Sequence, residues 1–283
     1  MILAKSHKLV GRQGFARAKG ESATPNLWDG LAGLWAPAAG YSGITTLYDW
    51  SGNSNNGTLL GTIAATNWVQ SPYGYVLNLD GTDDYVSVAD HYSLDITPSL
   101  TVHVTCYPTA SGSSAFRTIL SKREAVTPTN YQMYLSNAVG ANAGVLSYYN
   151  GTAEYKSTEI PVVNTWNNLA ATVLGTSLTL WINGKVVHTA TLSAAPVANA
   201  GILAIGRPGS YTVGEYFIGY IAAAYVYRRT LSASEINQLN ADPLAALRRK
   251  RVYVLKSQAV VGKAPPPYSV RTVRLWPRRP SLQ

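Results

Sequence analysis

The sequence predicts an all-β protein, a two-sheet antiparallel jelly-roll sandwich with one short C-terminal helix and extended basic terminal arms. Three observations support this prediction. Residues 73–227 form short alternating apolar and polar runs separated by Gly, Asn, Pro and Ser, a pattern typical of sandwiches and jelly rolls. A helix-capping pattern follows the last run, and basic residues collect at both ends of the chain.

The alternating runs predict eleven strands, which in chain order are YVLNL (75–79), YVSV (85–88), LTVHVTCY (100–107), TILSK (118–122), YQMYL (131–135), VLSYY (145–149), LAATV (169–173), LTLWI (178–182), KVVHTATL (185–192), ILAIG (202–206) and YFIGYIAAAYVY (216–227). Successive side chains of a strand point to opposite faces. In LTVHVTCY the alternation therefore directs one set toward the core: Leu100, Val102, Val104 and Cys106. Cys106 is the only cysteine, which excludes an internal disulfide and favours a buried structural thiol.

Two local signals mark a turn and the helix. Asn183-Gly184 lies between two alternating runs in WINGKVV and predicts a hairpin with a type I′ turn, which needs positive φ at both central residues. Ser232 followed by Glu235 in TLSASEINQL predicts a capping box that opens the helix. Ile236 and Leu239 are three positions apart, so both can face the sandwich.

Charge divides the chain into three parts. Residues 1–20 hold five basic side chains and residues 244–283 hold ten, with no acid in either, while residues 21–243 hold 8 basic and all 14 acidic side chains. We therefore predict a basic arm at 1–24, a jelly-roll domain at 25–243 and a basic, proline-containing arm at 244–283. No stretch is apolar enough for a signal peptide or a membrane span, which predicts synthesis in the cytoplasm and no membrane partner.

The arms are predicted to anchor the protein to a partner. The side chains assigned to this role are Arg248, Arg249, Lys250, Arg251, Arg271, Arg274, Arg278 and Arg279. An acidic protein surface and nucleic acid are the two kinds of partner that such arms suit. The run from Arg248 to Arg251 lacks interleaved aromatic residues for base stacking, which favours anchoring over nucleic-acid recognition.

Nine sequence blocks occur in the order and spacing of a known family. They are GLWAPAAG, LYDWSGNSNNGTL, LNLDGTDDYVSV, SLDITPSLTVHVTCYPT, TILSK, TWNNLAATV, LTLWINGKVV, LAIGRP and YIAAAYVYRRTLSASEI. Through these blocks, residues 30–240 resemble the laminin-G-like, concanavalin A-like jelly-roll family. The resemblance implies a two-sheet antiparallel jelly roll that often binds carbohydrate and sometimes binds calcium.

The two ends resemble a narrower group. A short basic lead ahead of the first block and the ending ADPLAALRRKRVYVL are similar to jelly-roll proteins encoded in tailed bacteriophages and prophages. This resemblance implies a structural protein of a virion, with capsid decoration as the leading expectation, anchored to a capsid or tail protein and released by lysis. Repeated display in a particle also implies a homo-oligomer.

Catalysis is not expected. Glycoside hydrolysis needs two carboxyl groups, and the E-x-D-x-E strand motif that supplies them in hydrolases of this fold type is absent. Asp80, Asp83 and Asp84 share the turn DGTDD, where bonding to the backbone is the expected role. The four His residues are scattered, and no phosphate loop or dinucleotide motif occurs. We predict a non-enzymatic protein without a cofactor.

Calcium is the one metal for which the sequence offers a candidate site. The stretch DWSGNSNNGTLLG contains Asp49, Asn53 and Asn55, whose oxygens are the ligand type that calcium takes. The resembled family often carries an acidic residue facing this loop from the strand before the helix, and Ala222–Ala224 stand there instead. We therefore expect no tight calcium site.

Two Asn-Gly-Thr triplets match the glycosylation signal: Asn56-Gly57-Thr58 and Asn150-Gly151-Thr152. Because the N-terminus offers no secretory route, we interpret both as Asn-Gly turns.

Carbohydrate binding would use aromatic side chains as platforms for sugar rings. The 19 Tyr and 7 Trp, against 3 Phe, suit half-exposed positions. The candidates are Tyr148, Tyr149, Tyr155 and Tyr211, with coverage of sheet faces or subunit contacts as the alternative role. Three hypotheses of function follow: a virion structural protein, a carbohydrate-binding module in a tail- or host-associated lectin, and a nucleic-acid-binding protein.

Overall fold

The computed structural model describes residues 14–111, 115–124, 129–137, 143–210 and 214–250. The chain divides after Lys250, and the unit Met1–Lys250 holds all of the described residues. Its strands are β1 Leu31–Trp35, β2 Thr46–Leu47, β3 Gly57–Leu60, β4 Trp68–Ser71, β5 Gly74–Asp80, β6 Tyr85–Val88, β7 Ser99–Pro108, β8 Arg117–Arg123, β9 Thr129–Asn137, β10 Ala143–Tyr149, β11 Glu154–Lys156, β12 Asn167–Leu174, β13 Ser177–Ile182, β14 Lys185–Thr191, β15 Leu203–Ile205 and β16 Ile218–Tyr227. The α-helix is α1 Ala233–Ala241.

The strands form two antiparallel sheets of eight strands each. The first sheet has the order β14-β13-β12-β7-β16-β5-β4, with β1 paired to β16, and the second has the order β11-β10-β9-β8-β15-β6-β3-β2. All eleven predicted strands are present, and the two-sheet antiparallel prediction is confirmed. The sequence missed β1, β2, β3, β4 and β11, which have two to five residues each and are too short for a clear alternation.

The main hydrophobic core lies between the two sheets. Leu100, Val102, Val104 and Cys106 of β7 belong to it, as the alternation predicted, and each is at most 1% exposed. The second sheet contributes Tyr131, Met133 and Leu135 of β9 and Leu146 and Tyr148 of β10. The predicted role of Cys106 as a buried thiol is confirmed, and its burial raises the pKa of the thiol.

A second hydrophobic layer covers the outer face of the first sheet. Tyr225 and Tyr227 of β16 pack there with Ile236 and Leu239 of α1 and with the apolar segment 244–247. The middle of the first sheet is therefore buried on both faces. Sequence alternation alone assigned only one face of β7 to the core.

The predicted hairpin turn and capping box are both confirmed. Asn183 and Gly184 have φ of 51° and 79°, and a Cβ at Gly184 would lie 2.3 Å from Asn237 Oδ1. Ser232 Oγ accepts a hydrogen bond from the amide of Glu235, whose carboxylate in turn accepts from the amide of Ser232. A hydrogen-bonded ion pair with Arg229, together with these cap bonds, lowers the pKa of Glu235 to about 2.

One of the two predicted Asn-Gly turns is present. Gly151 has φ of 95°, and Asn150 Oδ1 accepts from the amides of Thr152 and Ala153. The prediction for Gly57 was wrong because Gly57 begins β3 instead of a turn. A Cβ there would lie 2.3 Å from Val86 Cγ1, so close packing between neighbouring strands requires the glycine.

The parts of the two predicted arms that the structure describes pack against the domain. Residues 14–24 and 244–250 run alongside each other, joined by the bonds Ala16 N to Leu247 O at 2.7 Å and Lys250 N to Glu21 O at 2.9 Å. Apolar and small residues inside both segments, including Ala16, Ala246 and Leu247, are fully buried. The basic charge concealed this packing, because charge alone does not distinguish a free arm from a solvated strip of a domain.

Three of the predicted anchoring residues lie in this packed segment. Arg248 pairs with Asp242, and Arg249 pairs with Glu21 at 3.0 Å, so both are held by carboxylates of the same chain. The main chain of Lys250 bonds to Glu21. The other five, Arg251, Arg271, Arg274, Arg278 and Arg279, lie outside the described residues.

Lys122 holds one end of the sandwich together. Its side chain is fully buried, and its ammonium group donates to Asp90 Oδ1 at 2.6 Å and to the carbonyls of Asn199 and Gly201 at 2.8 Å each. Asp95 Oδ1 lies 3.1 Å from the same group. One cation therefore joins the loop after β6 to the loop before β15.

Removing the acids around Lys122 should destabilise the fold more than removing Lys122 itself. The double variant Asp90→Asn/Asp95→Asn leaves a buried charge unpaired and is expected to lose about 3–5 kcal/mol of unfolding free energy. Lys122→Met leaves buried carbonyls without a donor and should lose about 1–3 kcal/mol. Urea unfolding measures both, with Lys185→Met at an exposed ion pair as the near-neutral control. The reverse order of losses would contradict this account of Lys122.

Buried His103 should make stability depend on pH. It is 1% exposed on β7 beside the Tyr225 ring, and neither ring nitrogen has a hydrogen-bond partner among the described residues. Burial lowers its pKa from 6.5 to about 3. Below pH 6.5 the imidazole of His103 is therefore protonated in the unfolded chain but neutral in the folded chain. Folding stability consequently falls as the pH falls.

The expected slope from His103 is about 1.4 kcal/mol per pH unit between pH 6.5 and pH 3. Urea unfolding at about pH 7 and about pH 5 measures it. His103→Phe should flatten this part of the profile, whereas His188→Phe, at a half-exposed position, should leave it unchanged. An unaltered slope in His103→Phe would show that other groups cause the dependence.

Candidate functional site: the polar face of the second sheet

The outer face of the second sheet carries a row of polar side chains. Paired residues on adjacent strands face the same side of a sheet, and the strand registers place one row across six strands: Ser87, Ala204, Ser121, Gln132, Tyr149 and Glu154. A second row places Thr118, Tyr134, Ser147 and Lys156 next to it. We call these two rows, with Arg123 and Glu215, the polar face.

Strand periodicity separates the polar face from the core. In β9 the side chains of Tyr131, Met133 and Leu135 enter the core, so Gln132 and Tyr134 point outward. In β8 the register shifts between Thr118 and Leu120, which changes the phase of the alternation. Thr118 and Ser121 consequently share the outer face although they are three residues apart.

The polar side chains are buried although they lie outside the core. Thr118, Ser121 and Ser147 are 0% exposed, Gln132 is 3% exposed and Tyr134 is 5% exposed. Ser121 Oγ has no hydrogen-bond partner among the described residues. Burying a polar group destabilises a fold unless the group is hydrogen-bonded, and Gln132 meets this requirement through Arg123 and Thr118.

A hydrogen-bonded chain crosses the polar face. Arg123 Nη1 donates to Gln132 Oε1 at 3.3 Å, and Gln132 Nε2 donates to Thr118 Oγ1 at 3.3 Å. The amide of Thr118 donates to the main-chain carbonyl of Glu215 at 3.0 Å. Burial raises the pKa of Glu215, while the charge of Arg123 and hydrogen bonding by the Thr118 side chain act to lower it. The chain of bonds fixes the Arg123 guanidinium and the Gln132 amide relative to each other.

Aromatic rings border this chain. The Arg123 guanidinium carbon lies 5.2 Å from the centre of the Tyr149 ring, a cation–π distance. Tyr134 packs edge-on against Phe116, with ring centres 5.5 Å apart. Burial, a hydrogen bond with Glu154 and the charge of Glu154 raise the pKa of Tyr134. The face thus combines hydrogen-bonding groups with rings, which suits a ligand that has hydroxyls and apolar patches.

Of the four predicted sugar-contacting tyrosines, Tyr149 lies on the polar face. The prediction for Tyr148 was wrong because its side chain is 0% exposed and belongs to the core between the sheets. Tyr155 is paired opposite Tyr148 and packs against the same core, and its hydroxyl accepts from the amide of Ser193. Tyr211 lies outside the described residues.

Sequence reasoning missed most of the polar face. The available signal was alternation: Tyr148 and Tyr149 are neighbours in β10 and must point to opposite faces, so only one of them could meet a ligand. Gln132, Thr118 and Glu215 gave no signal by themselves, because only the strand registers and the β8 irregularity bring them together.

The Asp49 loop does not fit a calcium ion. Both carboxylate oxygens of Asp49 accept bonds from the chain: Oδ1 from the amides of Leu34 and Ser51, and Oδ2 from the Ser51 hydroxyl and the amide of Asn55. Calcium requires six to eight oxygen ligands, whereas N–H and O–H donors surround this carboxylate.

The two asparagines of the loop also serve the fold. Asn53 Nδ2 donates to the carbonyls of Leu31 and Ala32 at 3.0 Å each. Asn55 Nδ2 donates to the carbonyl of Ala32 and the hydroxyl of Ser93 at 2.9 Å each. Donation through the amide nitrogens ties the loop to β1, so these side chains brace the first sheet.

The acidic turn after β5 behaves as predicted. Asp80 Oδ1 accepts from the amides of Thr82, Asp83 and Asp84. Burial acts to raise the pKa of Asp80, but these amide bonds outweigh it and lower the pKa. Burial and the charge of Asp80 raise the pKa of Asp84. Carboxylate oxygens of the three residues lie within 4.8 Å of one another, and their bonds account for the turn.

Comparison with known proteins identifies the family. Residues 80–237, more than half of the chain, match a laminin G family that is described as the concanavalin A-like lectin/glucanases superfamily. The chain belongs to this superfamily. Its description includes both lectins and glucanases. Membership therefore assigns the fold, but it does not decide between sugar binding and glycoside hydrolysis. No curated protein matches the chain.

Several solved structures share the fold. Domain 4 of AbnA, an extracellular arabinanase of Geobacillus stearothermophilus, in complex with arabinotriose, is similar with TM-score 0.58 and 19% identity over 74% of this chain and 98% of that one. The botulinum neurotoxin serotype D ligand-binding domain in complex with N-acetylneuraminic acid gives TM-score 0.56 and 15% identity over 78% and 52%. Trypanosoma rangeli sialidase gives TM-score 0.54 and 14% identity over 75% of this chain, but only 32% of the sialidase.

Among the described residues, no helix has both the length and the apolar character to cross a membrane.

Asp49 should stabilise the fold without calcium. Asp49→Ala removes an acceptor of four hydrogen bonds and is expected to lose about 2–3 kcal/mol of unfolding free energy. Asp49→Asn, which keeps the shape, should lose less. Thermal unfolding with and without about 1 mM calcium chloride should coincide for the parent protein. A rise in the parent's melting temperature with calcium would contradict this assignment.

Proposed function

We propose that this chain is a carbohydrate-binding domain that takes a saccharide on the polar face. The observation that carries the proposal is the row of polar side chains, buried or half-buried, on the outer face of the second sheet, centred on Gln132 and Tyr149. Such a row has no part in the core between the sheets, and the first sheet has no comparable face because a second hydrophobic layer covers it.

The chemistry of the face suits a saccharide. Tyr149, Arg123 and Glu215 are partly exposed and offer a ring, hydrogen-bond donors and an acceptor. Gln132 and Thr118, which are 3% and 0% exposed, are buried, and Gln132 accepts a hydrogen bond from Arg123. This bond holds the guanidinium in a fixed direction, so a ligand pays little to order it.

The comparisons support the same class of ligand. Two of the similar structures hold a saccharide, arabinotriose in one and N-acetylneuraminic acid in the other. Their identity to this chain is 19% and 15%, so neither specifies which sugar this chain binds.

We propose binding without cleavage. Glu154 and Glu215 are the carboxylates of the polar face: Glu154 pairs with Lys156 at 2.8 Å, and the charge of Arg123 acts on Glu215. The proposal rests on the sequence, which lacks the E-x-D-x-E strand motif that supplies the two carboxyl groups in hydrolases of this fold type. Analysis of any bound oligosaccharide after incubation should recover it intact.

The place of the chain in a phage particle remains a proposal from the sequence. It rests on the basic segment beyond Lys250, since Arg248 and Arg249 pair inside the domain. Attachment to a capsid or tail protein, assembly into a homo-oligomer and contact of the basic ends with nucleic acid are compatible with a saccharide-binding face, because the two functions use different residues.

Glycan-array screening followed by calorimetric titration tests the polar face. Gln132→Ala and Tyr149→Ala should each weaken saccharide binding at least about tenfold, equivalent to about 1.4 kcal/mol. Tyr92→Ala removes a tyrosine that is 77% exposed and belongs to neither row of the polar face, so it should leave affinity unchanged. Equal affinity in all three variants, with melting temperatures preserved, would refute binding at this face.

A further inference from the structure

A concavity lies where the two ends of the domain meet. It has a volume of about 680 Å³, and its lining includes Phe15, Arg17, Tyr41, Tyr48, Trp50 and Arg249. We call it the terminal cleft. Small-molecule sites commonly enclose about 300–1,000 Å³ with aromatic walls and a few polar groups, so its size and lining are those of a ligand site.

The walls of the terminal cleft are held by main-chain bonds. An isolated antiparallel bridge joins Ser22 to Arg249, and the adjoining bonds tie residues 16–23 to residues 247–250. On the opposite side, Trp50 N donates to Leu34 O at 2.8 Å, which fixes the tryptophan to β1. The cleft is therefore preformed, and a ligand would not have to order its walls.

Two tyrosine rings at the cleft are open to solvent. Tyr48 is 53% exposed and Tyr41 is 45% exposed. The Tyr41 ring is held edge-on by the buried Trp68, with centres 5.2 Å apart. Trp50 is half-buried between the edge of Phe15 at 5.9 Å and the guanidinium of Arg17 at 5.9 Å. Fixed, exposed rings of this kind offer flat apolar surfaces.

The charges of the terminal cleft balance one another. Arg249 pairs with Glu21 at 3.0 Å, and the same Glu21 oxygen accepts from the amide of Arg17. The other carboxylate, Asp49, is saturated by the bonds of its own loop. The two arginines and the two carboxylates of the lining sum to zero formal charge, so the cleft as a whole favours neither an anionic nor a cationic ligand.

We propose that the terminal cleft is a second saccharide site, selective for short uncharged oligosaccharides. Sugar rings present apolar faces to aromatic side chains and hydroxyls to polar groups, and here Tyr41 and Tyr48 supply the rings while Glu21 and Arg249 supply hydrogen-bonding groups. The site uses none of the polar-face residues, so either proposal can fail without the other.

The test follows the indole N–H signal of Trp50 by NMR, assigned through its loss in Trp50→Phe. The probes are maltotriose, cellotriose, arabinotriose and chitotriose, with trigalacturonate as the charged counterpart. At least one neutral trisaccharide should shift this signal in the parent protein and equally in Gln132→Ala, whose defect is confined to the polar face. Trigalacturonate should not compete.

Tyr48→Ala should weaken this binding at least about tenfold, whereas Tyr92→Ala, the matched exposed tyrosine, should not change it. Both positions are exposed, so both variants should have the same melting temperature as the parent protein. Three results would overturn the proposal: no neutral trisaccharide shifts the Trp50 signal, trigalacturonate binds more tightly than the neutral probes, or Tyr48→Ala binds as the parent does. Loss of the Trp50 shift in Gln132→Ala would assign all binding to the polar face.

Discussion

The burial of the middle of the first sheet on both faces is the constraint on which the rest of the molecule depends. Strand β16 presents one set of side chains to the core between the sheets and the other set, which includes Tyr225 and Tyr227, to α1 and the apolar segment 244–247. That part of the first sheet is therefore occupied by the chain itself. The outer face of the second sheet carries polar side chains instead, and Tyr149, Arg123 and Glu215 are its partly exposed members.

The same constraint explains how the chain uses its charged and amide side chains. The second hydrophobic layer needs its connecting segments fixed, and Asp49, Asn53 and Asn55 fix the loop that follows β2 to the edge of β1. Lys122 does the same at another loop junction. A loop whose composition resembles a metal site is thus occupied by the chain's own donors. Of the β16 alanines that stand in the acidic position, Ala222 and Ala223 pack in the second hydrophobic layer and Ala224 packs in the main core.

Sequence alone predicted the features that depend on neighbouring residues. The β7 core face, the Asn183-Gly184 turn and the Ser232 capping box each follow from a few adjacent positions, and each is confirmed. The β8 register shift, the assignment of Tyr148 to the core and the packing of residues 244–247 depend on partners far along the chain. Alternation shows that neighbouring side chains of a strand point to opposite faces of the sheet. Only the strand order shows which of the two faces the core and which faces outward.

The two proposed saccharide sites would be separated along one sheet. The polar face centres on β9, and Tyr48 of the terminal cleft follows β2, five strands away in the order β9-β8-β15-β6-β3-β2. At about 4.8 Å per strand the separation is roughly 24 Å, which exceeds the length of a short oligosaccharide. Each site would then fill independently with short ligands, whereas a longer glycan could engage both. A glycan that is already bound at one site reaches the second site at a high effective concentration, which raises the overall affinity. Two weak sites would therefore suffice to hold the protein on a polysaccharide surface.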